Sequence, residues 1–453
     1  MIYTNSGGTM DRPIHRVVDL IDEDSQQIFN MDLEEARALL LHEDATALMQ
    51  LLGSFALTTR QGEVIRMARS LDRPMRYFLA KQESGPLLVV ADRIDEIKEF
   101  LEAEGYGDQF HPSYTRMVPA HHVTSIRLIG CPDPNPLYQR FLEPAADTLQ
   151  ADVDLIGERY VRALWEALDA WLQVVPRREP IGVLFSGGLD SGSVLLCLYK
   201  LLLERGQSPS RLKAFTLAVD GLGSDATQAR EFLRRTDLEV LGEPVEVDSG
   251  SLDPFQAVDV IEDYKPLDVE CATVNLALVE ELRRRYPDWL YLADGDGGDE
   301  NLKDYPIEEN RELTIRSVVN NPLLYQEGWG VDRIKHSLTY SGGQSRGCVR
   351  VHAPLRKYGF LGFSPFTHPS LVSLAAAIPF DELTRGSIET LYSLKGEILR
   401  RGVKAVTGME LPVFPKRRFQ EGAGPESVLA KCFPADPEAY RNHYLDLYRH
   451  DHR

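Results

Sequence analysis

The chain lacks the features that would place it in a membrane, on a nucleic acid or in an oxidising compartment. Its longest apolar runs, such as residues 194–203 and 371–380, are interrupted and shorter than a membrane span. The N-terminus is polar and has no signal-peptide core, so a cytoplasmic protein is expected. The five cysteines, Cys131, Cys197, Cys271, Cys348 and Cys432, are scattered and form no CxxC. That pattern fits reduced thiols better than disulfides or a zinc site. Positive charge is also short: 50 Lys and Arg against 69 Asp and Glu leave a formal charge of −19. Nucleic acid is therefore not an expected partner, since neutralising phosphates needs a basic face. Arg283, Arg284 and Arg285 read as a solvated helix face, and no Gly-Lys-Ser/Thr closes a Walker loop.

What the chain does contain is one organising stretch, residues 181–193, IGVLFSGGLDSGS. Ile181, Val183, Leu184 and Phe185 suit a buried strand, and Val194, Leu195, Leu198, Leu201 and Leu202 recur at helical spacing after the turn. The turn is Ser186-Gly187-Gly188-Leu189-Asp190-Ser191. Its glycines let the backbone approach an anion, the Ser186 and Ser191 hydroxyls can donate to phosphate oxygens, and the helix start adds unpaired N–H groups. A carboxylate beside an anion needs a cation between them, so Asp190 reads as a Mg²⁺ ligand. A Gly-rich turn without a ligand is the plainer alternative. The string resembles the SGGxDS loop of the N-type ATP pyrophosphatases, which grip pyrophosphate and leave AMP on the substrate. The resemblance implies ATP and Mg²⁺ as cofactors, with these six residues around the nucleotide.

Strands and helices alternate around this loop. Residues 156–175 predict a helix before it, with Pro176 and Pro180 marking the joint. Residues 212–219 predict a strand, 226–236 a helix, 239–247 a third strand, 274–286 a helix and 289–293 a strand. Such alternation implies a parallel sheet with its ligand at the carboxyl ends of the strands. The last strand leads into Asp294-Gly295-Asp296-Gly297-Gly298-Asp299-Glu300. Four clustered acidic side chains repel one another unless a cation or an ammonium-like partner sits among them. An exposed acidic turn is the plain reading, and the spacing does not fit a Ca²⁺ loop.

A strand followed by this acidic run resembles the S-G-E-G-x-D-E segment of the asparagine synthetases and their relatives, the β-lactam synthetases and lasso-peptide cyclases. Gly362-Phe363-Ser364-Pro365-Phe366 resembles the family's R-x-P-F-L-D, with Thr367-His368 in place of Leu-Asp. Pro415-Lys416-Arg417-Arg418-Phe419-Gln420-Glu421-Gly422 resembles its R-x-K-x-x-F-x-x-G. The resemblance implies that Asp299 shares Mg²⁺ with Asp190 and that Gly295, the Leu217 backbone and Asp225 border the nucleotide. It also implies that Lys416 neutralises the leaving pyrophosphate, whereas in isolation residues 416–418 would be an exposed basic loop. Asp296 stands where the family has a Glu near the reacting carboxylate. Its arm is one methylene shorter, which puts the family's usual substrate in doubt.

At 453 residues two domains are expected, 1–148 and 149–453. In the first, residues 34–52 and 94–105 look helical, and 54–58, 64–68, 75–79 and 87–91 look like strands. Gly53-Ser54-Phe55-Ala56-Leu57, Ala68-Arg69-Ser70, Tyr77-Phe78, 87–92 and Val118-Pro119-Ala120-His121 resemble the back half of a class II glutamine amidotransferase domain. That family needs a cysteine as the first residue of the mature chain, and here residue 2 is Ile2 and the first cysteine is Cys131. No glutaminase activity is expected, and the domain would serve as scaffold or docking surface. The tandem His121 and His122 read as structural, and His443, His450 and His452 as surface residues.

The fold class expected is α+β and α/β: a degenerate Ntn-hydrolase-like domain, then a parallel-sheet ATP pyrophosphatase domain. The function expected is AMP-forming amide synthesis, with Asp296, Glu300 or Glu262 as base for the amine. Partners would be a small-molecule or peptide carboxylate and ammonia or an amine, with neither nucleic acid nor membrane, and a homodimer or partner protein on the N-terminal domain. Ring closure of the β-lactam or lasso type, a pyrophosphatase modifying nucleobases or transferring sulfur, and a non-catalytic nucleotide-binding protein are the alternatives.

Overall fold

The structure, a computed structural model, describes residues 2–3, 16–83, 85–128, 136–221, 223–302, 348–414, 431–436 and 438–449. The chain forms two compact units: one runs to Glu143 and takes up the chain again at Tyr444, and the other lies between Pro144 and His443.

The first unit is α+β. Strands β1 (Ile2–Tyr3), β2 (Arg16–Asp19), β7 (Arg76–Ala80), β8 (Leu87–Ala91) and β9 (Arg116–Met117) form a sheet in the order β1-β2-β8-β7-β9. Strands β5 (Ala56–Gln61), β6 (Val64–Arg69), β10 (His122–Arg127) and β11 (Leu137–Arg140) form a second, β11-β10-β6-β5, and β3 (Gln27–Ile28) pairs with β4 (Gly53–Ser54). Val17, Tyr77, Leu88 and Val90 of the first sheet pack against Ala56, Ile65, Met67 and Ile126 of the second, so the core lies between the sheets. The predicted helix 34–52 is broken. It exists as Leu33–Leu40, and after a turn a 3₁₀ segment Ala45–Gln50 begins where the Asp44 carboxylate accepts from Thr46 N. An aspartate that satisfies a local backbone donor competes with helix continuation. His121 and His122 are both buried. Burial holds the His121 imidazole down to about 3, and the ring lies edge-on to Phe141.

The second unit is built on a five-stranded parallel sheet. Its strands are β12 (Ile181–Leu184), β13 (Leu212–Val219), β14 (Gly242–Val247), β15 (Tyr291–Ala293) and β16 (Leu361–Phe363), in the order β14-β13-β12-β15-β16. From central β12 the chain winds outward through β13 and β14, then returns to the other side of β12 for β15 and β16. The strand order therefore reverses between β12 and β15, and a crevice opens there at the carboxyl ends of the strands. Phe215, Leu217, Val219, Val245 and Leu292 face Val274, Leu278, Val279 and Leu282 of the helix Pro266–Arg285. That helix begins earlier than residue 274, at Pro266, a proline whose fixed φ and missing N–H suit the first helical turn.

Two long helices, Val153–Val174 and Ile388–Thr407, cross where a glycine of each meets the other. A Cβ on Gly157 would lie 2.6 Å from Ile398 O, and one on Gly402 would overlap Gly157 O. The crossing matters for the site because Lys395 lies two turns before Gly402, on the same buried face.

Candidate active site

Two loops leave neighbouring strands at the crevice, one after β12 and one after β15. The first is the Ser/Gly turn. Gly187 takes φ 74° and packs so closely on the next helix, Ser224–Arg235, that a Cβ would lie 2.7 Å from the Ala229 backbone. Gly188 N donates to Ser186 Oγ at 3.3 Å, and the Ser186 and Ser191 hydroxyls lie 3.3 Å apart. The helix Leu189–Glu204 then starts at Gly188 without a side-chain cap. Its first N–H groups and its dipole suit an anion.

The second loop is the acidic run, and the structure separates its four carboxyls. Asp294 is structural: it is buried, accepts from Asp296 N at 2.9 Å and takes the Ser364 hydroxyl at 2.8 Å. It therefore braces the loop from below. The two loops touch through glycine, because a Cβ on Gly295 would lie 2.7 Å from Ser191 N and one on Gly298 would overlap the Asp190 carboxylate. At Gly295 a side chain would meet backbone, and at Gly298 it would have to push the Asp190 carboxylate aside.

Asp190 and Asp299 converge on one cation, the Lys395 ammonium, which donates to Asp190 Oδ2 at 2.6 Å and to Asp299 Oδ1. Lys395 is only 8% exposed. Burial works against its charge, but the two carboxylates outweigh burial and hold the ammonium above its ordinary range.

Glu300, buried at the start of the short helix Gly298–Asn301, lies on the other side of this loop. Its Oε1 is 3.9 Å from Arg350 Nη1, and Arg350 Nε donates to fully buried Asp268 at 2.9 Å. Burial opposes the guanidinium charge, and the Asp268, Glu300 and Asp296 carboxylates outweigh it. Lys265 approaches Asp268 at 3.7 Å. Beside them, Asp263 is pushed up to about 7 by burial and by the Asp268 carboxylate. Its Oδ1 accepts from Tyr264 N and Lys265 N, while Oδ2 is buried without a hydrogen-bond partner. Glu262, the next residue back, is buried with φ 50° at the end of the helix Pro254–Ile261.

Of the residues singled out in the sequence, Asp190 and Asp299 meet through Lys395, and Asp296 and Glu300 share the field of Arg350. Leu217 lies two residues beyond the last β12–β13 register pair, Leu184 with Phe215, and Asp225 is buried in the first turn of the following helix. Lys416, Arg417, Arg418 and Cys131 lie outside the described residues. Thr367 and His368, which depart from the family pattern, have local duties. Thr367 donates to Ser364 O at 2.7 Å, and His368 caps the helix Pro369–Ala377.

Lys395 and Arg350 were not found by reading the sequence. For Lys395 a signal exists: Leu391, Leu394, Ile398 and Leu399 form the apolar stripe of its helix, and a lysine on that stripe is out of place unless paired. Arg350 sits in a π-helical turn, Cys348–His352, where no periodicity marks it.

The second unit is thus an α/β domain whose switch point brings together an uncapped helix N-terminus, a buried lysine and facing carboxylates. Residues 167–339 match the family model described as asparagine synthase, so this stretch of the chain is similar to the asparagine synthetases. The family's members are ATP-dependent ligases that form amides. A search of curated proteins found no match. Among the described residues no helix is long and apolar enough to cross a membrane.

Proposed function

We propose that this chain is an AMP-forming amide synthase. The observation that supports the reading is the convergence of Asp190 and Asp299, from neighbouring strand ends, on a single cation. A carboxylate oxygen of the substrate attacks the α-phosphorus of ATP, the bond from that phosphorus to the bridging oxygen breaks, and pyrophosphate leaves. An amine nitrogen then attacks the acyl carbon, AMP departs, and the nitrogen loses a proton.

Residues 186–191 receive the phosphates at the open helix N-terminus, with Gly295, the Leu217 backbone and Asp225 bordering the nucleotide. Lys395 and Lys416 offset charge on the leaving pyrophosphate. The donor set fits Mg²⁺, since Asp190 and Asp299 already share one cationic stand-in. When bound, the ion screens the charge that develops on the phosphates. Asp296 or Glu300, with Glu262 as a further candidate, takes the proton from the amine.

The first unit is read as a degenerate glutamine amidotransferase-like domain, residues 1–148, that supplies no ammonia and offers a surface for a second copy or a partner. The synthetase domain is read as 149–453. The nitrogen donor is then ammonia or an amine, and the substrate a small metabolite or peptide carboxylate of specialised metabolism.

The test is turnover of radiolabelled ATP against a panel of carboxylates, with ammonia, glutamine or no added amine. AMP and pyrophosphate that depend on the carboxylate, with ammonia but not glutamine, are expected. ADP as product, or AMP release that survives Asp190→Ala, would overturn the reading.

A further inference from the structure

We propose that Lys395 is the resident counter-ion of the metal position, and that it yields this position to a divalent cation only when a nucleotide arrives to receive its ammonium. The inference rests on the reading of Asp190 and Asp299 as metal ligands and concerns how that site fills.

The ammonium sits between the two carboxylates, bonded to both and almost wholly buried. In this state the ammonium offsets one of the two carboxylate charges and donates a hydrogen bond to each. A divalent cation entering alone meets a positive charge at the place it must occupy. Displacing Lys395 without another anion would strand a buried ammonium, which is costly. A nucleotide removes that obstacle because its phosphate oxygens, at the helix start beside Asp190, give the lysine new acceptors. The exchange needs only the flexible side chain to move, since the helix that carries Lys395 is pinned at the Gly157–Gly402 crossing. Metal and nucleotide then enter as coupled ligands, each raising the other's affinity by the same factor.

The experiment uses the full chain, Mn²⁺ as probe, and free Mn²⁺ read by electron paramagnetic resonance with and without the non-hydrolysable α,β-methylene analogue of ATP. A titration of the analogue alone supplies the reference. In the native protein the analogue should tighten Mn²⁺ binding by about tenfold or more, the usual range of such couplings. Lys395→Met keeps the length of the side chain and removes its charge. It should bind Mn²⁺ without nucleotide about tenfold more tightly than the native protein and lose most of the enhancement. The added substitution Asp299→Asn should abolish the gain and so assign it to this site.

Equal Mn²⁺ affinity of the native protein and Lys395→Met without nucleotide overturns the proposal. If neither binds Mn²⁺ even with the analogue, the assignment of Asp190 and Asp299 as metal ligands fails, and the proposal with it. Should Lys395→Met not fold, Lys395→Gln makes the same comparison, and absence of enhancement in the native protein is decisive by itself.

Discussion

At Gly298 the two loops of the site lie so close that the Asp190 carboxylate fills the place of a side chain. Gly298→Ala should therefore push Asp190 off Lys395 and lower turnover by about a hundredfold, as small displacements of reacting groups do, while circular dichroism stays native. The buried pair Asp263 and Asp268 predicts a pH effect on stability rather than on chemistry. The ordinary value for Asp263 is 3.8, and in the folded state it is pushed up to about 7. Between these values the folded chain holds a proton that the unfolded chain has released. Its contribution is present below pH 4 and is lost as the pH rises through 7, so stability falls across that window. Asp263→Asn keeps the oxygen that accepts from Tyr264 N and Lys265 N and abolishes the titration. Its melting temperature should match the native protein's near pH 4 and exceed it at pH 8. Parallel melting curves at both values would sink the idea.

At the scale of elements, the site depends on how two long helices, Val153–Val174 and Ile388–Thr407, cross. Gly157 and Gly402 let two helices touch backbone to backbone, and this close crossing carries Lys395 into the crevice. Gly402→Ala should cost about 1–3 kcal/mol through overpacking, read as a lower denaturation midpoint, and should weaken turnover beyond the stability loss. The Arg350 turn is a second such tie. Arg350 holds Asp268 of one helix and Glu300 of the acidic loop, while Asn275 Nδ2 donates to its carbonyl at 2.7 Å. Arg350→Ala removes the guanidinium that pairs with fully buried Asp268 at 2.9 Å, where Lys265 stands no closer than 3.7 Å. A loss of about 3 kcal/mol is expected in denaturant unfolding, and Arg350→Lys should restore part of it.

At the scale of the molecule, the two units differ in what they can be asked to do. The second unit carries the turn at residues 186–191, the acidic loop, Lys395 and Arg350, whereas the first unit presents two sheets with its core between them and buries Arg69, Arg73 and Arg76. With glutamine as sole nitrogen source, no glutamate release above background is expected in an enzymatic glutamate assay. Stoichiometric release would overturn the reading of the first unit as one that supplies no ammonia. The amino-acid sequence by itself determined the parallel order of strand and helix, the turn at residues 186–191, the acidic run at 294–300 and the likeness of residues 167–339 to the asparagine synthetases. These are local: apolar periodicity, glycines at tight turns and clustered charge act over a few neighbours in the chain. The pairing of Asp190 with Asp299 around Mg²⁺ came from the family resemblance and not from their spacing in the chain. Tertiary structure alone decided which side chain stands there. Lys395 is 205 residues from Asp190 and 96 from Asp299. Only the switch point of the sheet and the glycine crossing of two helices bring all three within the reach of a hydrogen bond, because Coulomb attraction between buried groups depends on distance through space and not along the chain.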